Sequence, residues 1–331
     1  MPLKVRTDRE ICHLLGWLVL GPLAFATLAR VVAWDASSML VVFNAVLPFA
    51  VVPASLLALA AALIRRRALL GVALVVTASL LVLSRPEHAA ARPLPPVVAR
   101  APKVVVFDAE VKAGRDHPAA YAREIVAARA DIVTLQQATP RFVAAMRART
   151  TPGQLRYLTS FTGKERIGTL EQSSLVVLSR YPIDLAHMTD LADRPTFLST
   201  IVRVPGHPLR LFDVHTAAPL GGDRGAWIDG LARLRAAAGR SAAPTLVIGD
   251  FNATWGNRGF RDLVADGFVD AAAARGLPDQ FTWPNDASPL PPFLRIDHAL
   301  TRGALVVTHI RTGTGTGSDH RPLVATLAFL R

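Results

Sequence analysis

The first 84 residues carry three apolar runs, 11–34, 38–64 and 68–83, separated by short polar or charged breaks. A helix needs about 20 such residues to cross a bilayer, so the first two are long enough and the third, flanked by Arg67 and Arg85, reaches the headgroups through those side chains. The pattern predicts three transmembrane helices, and with two further runs behind it the first is too long to be a cleaved signal peptide. Residues 85–102 contain Pro86, Pro93, Pro95, Pro96 and Pro102, the composition of a semi-rigid linker. From 103 onward the pattern turns into short apolar strands at 103–107, 131–135, 175–178, 198–204, 209–214, 246–248, 296–300, 305–310 and 323–329. Helical periodicity falls between them at 119–130, 140–149, 226–238, 260–265 and 270–275, with Asp116 as the cap of the first helix and Pro118 just inside it. Three parts follow: an anchor over 1–84, a linker over 85–102 and a domain over 103–331. In the last, strands outnumber helices and polar groups recur at strand ends, as when a site is grafted onto a two-sheet α/β scaffold with helices outside.

Charge changes this picture in one respect. The chain of 331 residues has a formal net charge of +12, which alone would invite a nucleic-acid partner. Residues 1–102, however, hold ten Lys or Arg against four Asp or Glu, and 103–331 hold 27 against 21, so half the excess lies in the first third. There it reads as topology: Lys4, Arg6 and Arg9 precede the first run and Arg65–Arg67 separate the second from the third, whereas the loop between the first two carries only Asp35. The amino terminus is then cytoplasmic, and three crossings of the inner (plasma) membrane put the domain outside the cytoplasm. Arg30, near the outer end of the first span, is expected to snorkel. The single cysteine, Cys12, excludes an intrachain disulfide.

The candidate chemistry sits at the strand ends: Asp108-x-Glu110, Gln136-Gln137, His215-Thr216, Gly249-Asp-Phe-Asn252, Ile296-Asp297 and Ser318-Asp-His-Arg-Pro322. Asp250 and Asn252, two residues apart after a buried strand turning at Gly249, can position a water and hold a phosphoryl oxygen, or can simply make a hydrogen-bonded turn. Arg180, Arg194, Arg224 and Arg321 are weaker candidates for an anionic substrate. Phe281, Trp283, Trp255 and Phe293 suit core packing more than a pocket.

In order and spacing these motifs resemble the endonuclease/exonuclease/phosphatase superfamily over residues 103–331. The resemblance implies a four-layered α/β sandwich of the DNase type, here preceded by three transmembrane helices, and phosphoester hydrolysis with Mg2+ or Mn2+. By that likeness His320 meets the scissile phosphate, Asp297 fixes its other ring nitrogen, Asp250 orients or deprotonates water and Asn252 holds a phosphoryl oxygen. His215 would be the general acid or a phosphate contact, and Asp319 would support the metal. The metal set departs from the pattern, because the usual glutamate is Gln137 and the usual asparagine is Asp108. A hard cation prefers charged oxygens, so the ligands implied are Asp108 or Glu110, Gln137 and Asp319, with one carboxylate relocated. In architecture the chain resembles the membrane proteins linked to teicoplanin resistance, which implies a lipid-linked phosphate or diphosphate, such as undecaprenyl pyrophosphate, as substrate at the bilayer. An extracytoplasmic nuclease, with nucleic acid as partner, and a catalytically impaired binding module are the alternatives.

Overall fold

The computed structural model describes residues 8–32, 35–85, 88, 90–112, 117–162, 174–184, 196–286 and 288–330, and the chain divides into two compact units. The first contains Met1–Glu87 and Trp255–Arg258. Its helices are α1 (Asp8–Val31), α2 (Ser38–Val46), α3 (Val51–Leu63) and α4 (Arg67–Ser84), with a 3-10 turn at Leu47–Ala50 joining α2 to α3. Glu10–Val31, Ser38–Leu63 and Arg67–Ser84 are each long and apolar enough to cross a membrane. Small side chains let them approach: Ala54, Ala58, Ala61 and Ala73 are buried beside Leu20, Leu69 and Leu80, and a Cβ on Gly16 would stand 2.6 Å from Leu69. Leu18, Leu63 and Val75 point outward, as a lipid-facing surface requires.

Arg30 does not snorkel. The residue is 3% exposed, and its guanidinium donates to the carbonyls of Asn44, at 3.4 Å, and Leu83, at 3.3 Å. It thereby serves an orphan carbonyl at the end of α4, a group with no partner inside its own helix. Asp35, also buried, accepts from Asn44 Nδ2 at 2.6 Å and from the Arg258 amide at 2.7 Å.

The second unit holds His88–Thr254 and Gly259–Arg331. The proline-rich stretch is not a free tether: the Arg92 amide donates to Ala274, Val98 is buried, and Pro102 accepts from Phe329. In chain order the elements are β1 (Lys103–Glu110), α5 (Pro118–Ala128), β2 (Ile132–Ala138), α6 (Pro140–Arg147), β3 (Tyr157–Thr162), β4 (Ser174–Ser179), β5 (Phe197–Val204), β6 (His207–His215) and α7 (Arg224–Gly239). They continue with β7 (Thr245–Asp250), α8 (Arg258–Ala265), β8 (Val269–Asp270), α9 (Ala271–Ala274), β9 (Asp297–Arg302), β10 (Leu305–Thr312) and β11 (Leu323–Phe329). One sheet runs β10-β11-β1-β2-β4-β3 and the other β5-β6-β7-β9-β8.

Period-two alternation sorts every strand into two faces. Val104, Val106, Ile132, Leu175 and Val177 of the first sheet meet Leu209, Leu211, Leu246, Ile248 and Ala299 of the second in one buried core. The opposite faces of β1, β2 and β4 pack Phe107, Ala109, Val133, Leu135 and Leu178 against Tyr121 and Ile125 of α5 and Phe142 and Met146 of α6. Outside the second sheet, Trp227 of α7 donates to the Phe251 carbonyl and Phe260 of α8 lies on His298 of β9. The result is the expected four-layered sandwich with helices on both faces. Asp116, expected to cap α5, lies outside the described residues. The β3 strand was not predicted, and Gly249 stays within β7 instead of turning the chain.

Candidate active site

The same alternation builds the site. Following Val104 and Val106, Asp108 and Glu110 continue the inter-sheet face of β1; Thr134 and Gln136 follow Ile132 on β2; Asp213 and His215 follow Leu211 on β6; Asp250 follows Ile248 on β7. Strand pairing aligns Asp250 with both His215 and Asp297. The apolar core therefore gives way first to a buried polar layer and then to a rim of titratable groups.

The lower layer is Asp108, Thr134, Gln136 and Asp213, all within 1% of complete burial. Asp108 Oδ1 accepts from Thr134 Oγ1 at 2.6 Å and from Gln136 Nε2 at 2.8 Å, and Gln136 Nε2 also donates to Asp213 Oδ1 at 2.5 Å. One amide thus ties two carboxyls across the sheets. Burial pushes Asp108 up to about 7 and Asp213 well above the usual carboxylate range, so the protonated forms are favoured there. Asp108, proposed from sequence as a metal ligand, is placed in this layer, because β1 runs on to Glu110 and gives the rim to the residue two positions further.

At the rim, His320 Nδ1 lies 2.9 Å from Asp297 Oδ2 and 3.2 Å from Oδ1. Burial alone would lower the imidazole pKa, but Asp297, Asp250 and Glu110 raise it well above the ordinary histidine value and favour the imidazolium. Ligand atoms of Asp250, Asp297 and His320 lie within 4.8 Å of one another, as do those of Glu110, Asp319 and His320. His320 therefore joins the two groups. Asp250 accepts from the Asn252 backbone amide at 2.7 Å and from Asn252 Nδ2 at 2.8 Å, with Asn252 held at φ +46. Burial shifts Asp250 upward, toward a better proton acceptor, with His320 opposing.

His215 Nε2 lies 3.9 Å from Asp250 Oδ2 and 3.4 Å from Gln137 Nε2. Burial and then the His320 charge lower its pKa to about 4, so it is neutral at physiological pH. A neutral imidazole suits phosphate contact or proton acceptance better than the general-acid role. Gln137, at φ +52 where the β2–β4 register shifts, makes this contact with His215 and not one with Glu110. Glu110 is the carboxylate of the pair that reaches the rim: Oε2 accepts from Ser318 Oγ at 3.0 Å and Oε1 from the Lys112 amide at 2.9 Å, and burial lifts its pKa to about 7. Asp319 Oδ2 lies 2.7 Å from Lys112 Nζ; burial opposes its ionisation, but Lys112 and His320 hold it below the ordinary carboxylate range.

Glu110 and Asp319 offer a hard cation the pair of carboxylates that Mg2+ commonly takes alongside water, so the donor set fits a divalent ion. Sequence reasoning missed Ser318, Lys112, Thr134, Gln136 as a bridge and Asp213; strand alternation beyond Ile132 and Leu211 is the signal that could have found the last three. Among the weaker candidates, Arg180 pairs with Asp131 at the other end of β2, Arg321 meets Asn285, and Arg194 lies outside the described residues. Trp283 and Phe293 pack on each other.

Comparison with known proteins places this geometry. A search of curated protein sequences gives no match. By structure, an endonuclease/exonuclease/phosphatase family protein from Leptotrichia buccalis C-1013-b superposes with a TM-score of 0.54 at 14% identity, covering 68% of this chain and all of its own. A truncated TDP2 from Caenorhabditis elegans (0.52, 18% identity, 68% and 97% coverage) and a mannosyl-6-phosphatase from Bacteroides thetaiotaomicron VPI-5482 (0.52, 15%, 68% and 100%) share the fold. In sequence, residues 107–320 match the model of the Endonuclease/Exonuclease/phosphatase family, a span that runs from the end of the β1 apolar run to His320, and the chain belongs to that family.

Proposed function

We propose that the chain is a membrane-anchored, divalent-metal-dependent phosphoesterase that acts on a lipid-linked phosphate or diphosphate outside the cytoplasm. Hydrolases of phosphoesters make up its family, and their dependence on a divalent ion is typical. The observation that carries the reading is His320: its Nδ1 is committed to Asp297, its charge is held by Asp250 and Glu110, and Nε2 is the ring nitrogen left for substrate. An imidazolium in that setting stabilises negative charge developing on phosphoryl oxygens. Asp250, steadied by Asn252, accepts a proton from the attacking water as the water oxygen bonds to phosphorus and the P–O bond to the leaving group breaks, an ester bond in a phosphate and the anhydride bond in a diphosphate; the leaving oxygen departs with the electron pair and takes a proton from solvent. The neutral His215 holds a phosphoryl oxygen, whereas Asn252 Nδ2 already donates to Asp250 Oδ2 and to the Thr216 carbonyl and so acts by positioning Asp250. Glu110 and Asp319 would hold the ion, which when bound supplies further positive charge for the phosphoryl group. Glu110 thereby replaces the carboxylate that the family pattern puts at Gln137.

Three apolar helices keep such a site near a bilayer, and the basic flanks of Arg65–Arg67 and the amino terminus support an extracytoplasmic domain. The architecture is similar to that of the membrane proteins linked to teicoplanin resistance, which favours a polyprenyl diphosphate. The test is phosphate release by the purified protein with Mg2+ or Mn2+ from undecaprenyl pyrophosphate, a phosphatidylinositol phosphate and DNA. Turnover of a lipid substrate is expected, and turnover of DNA alone would make the protein a nuclease. If none of the three is turned over with either ion, the binding-module reading takes its place.

A further inference from the structure

Lys112 is held at both ends by the two carboxylates that would receive a cation. Its own amide donates to Glu110 Oε1 at 2.9 Å, and its ammonium lies 2.7 Å from Asp319 Oδ2. The backbone adopts φ +44 to do so, a conformation that non-glycine residues rarely take and that persists where surrounding contacts enforce it. Lys112 and Asp319 are each about a third exposed, 36% and 30%, so the pair is neither locked in the core nor lost in solvent. Three oxygens of Glu110 and Asp319 thus already accept a hydrogen bond, two of them from Lys112 and one from Ser318.

A divalent ion on the Asp319 carboxylate, whether at Oδ2 or at Oδ1, would stand close to that ammonium and be repelled by it. Mg2+ binds oxygen at about 2.0–2.1 Å, and a second cation at hydrogen-bonding distance from the same oxygen would face it at close range. The lysine can yield, because its charge sits on a flexible four-carbon stem and its side chain is about a third exposed. We propose that Lys112 is a built-in competitor of the divalent ion: its ammonium neutralises Asp319, and the ion gains that carboxylate only at the expense of this ion pair. The proposal rests on the reading of the rim as a divalent-ion site, though not on turnover. It gives the protein a reason to need more metal than a site with two unengaged carboxylates.

The test is Mn2+ binding to the full-length protein in detergent, read from the paramagnetic resonance signal of free Mn2+, for wild type, Lys112→Met, Lys112→Gln and Lys112→Arg. Losing a partly exposed ion pair and a like charge beside the ion should tighten binding about tenfold in both neutral variants, whereas Lys112→Arg stays near wild type. Thermal unfolding with and without Mn2+ reports folding of each variant, and the second neutral variant serves if the first fails to fold. Equal or weaker binding in the neutral variants, tightening in Lys112→Arg as well, or no saturable binding in any protein overturns the proposal. Wild type that binds Mn2+ and hydrolyses phosphoesters while the neutral variants bind no tighter removes only this proposal; tighter binding without turnover removes only the functional reading.

Discussion

Carboxylates around His320 favour its protonated form, against the effect of burial, which disfavours a charged imidazole. Asp297 is the nearest of them and also fixes the ring through Nδ1. Its effect has a definite sign: a pKa raised in the folded protein keeps the proton, and whatever depends on it, to higher pH, and the function is lost as pH rises through that raised value. Asp297→Asn lowers the His320 pKa, so the alkaline limb of the pH–rate profile should move to lower pH, with a drop in kcat of about tenfold to a hundredfold at neutral pH. A profile that keeps its alkaline limb in place would assign the charge to another group. The carboxylates at 108 and 110 show what is legible at this scale. Both were visible as a pair at a strand end, but which one reaches the rim depends on where β1 stops, and the apolar run ends three residues before the strand does.

Strands place the site, and β7 depends on one glycine to lie where it does. Gly249 has φ +134, and a Cβ there would stand 2.1 Å from the Val214 carbonyl and 2.9 Å from the Val214 nitrogen, its partner in the parallel β6–β7 ladder. Backbone cannot move aside as the end of a side chain can. Gly249→Ala should cost about 3 kcal/mol or more and lower the melting temperature by roughly 6–10 °C, measured by thermal unfolding. Unchanged stability would mean that β7 can shift without loss. Glycine in an apolar run reads naturally as a turn, which is why its place inside the strand was not legible. The edge strand β3 was missed for another reason: Tyr157–Thr162 mixes hydroxyls with apolar residues and pairs only with β4, so neither a continuous apolar run nor a clean alternation marks it. Central strands such as β7 and β11, buried on both faces, were plain from composition alone.

For the whole molecule, a unit of helices long and apolar enough to cross a membrane and a unit with the hydrolase fold share one chain, and the apolar runs were enough to find those helices. The fate of Arg30 was not available from them, because its acceptors at Asn44 and Leu83 come from elements distant in sequence. Order and spacing of motifs made the family legible, whereas the position of each carboxylate relative to an ion needed the strands in three dimensions. The central claim is that strand tips from two sheets bring His320, Asp250, Glu110 and Asp319 to one phosphate. Its most direct measurement is phosphoester hydrolysis by the full-length protein with Mg2+ or Mn2+, compared with chelator-treated protein and with His320→Ala. The account predicts turnover that chelation abolishes and that His320→Ala reduces at least about a hundredfold while circular dichroism stays unchanged. Hydrolysis that persists at the wild-type rate in His320→Ala, or a well-folded wild type inert with both ions, would contradict it.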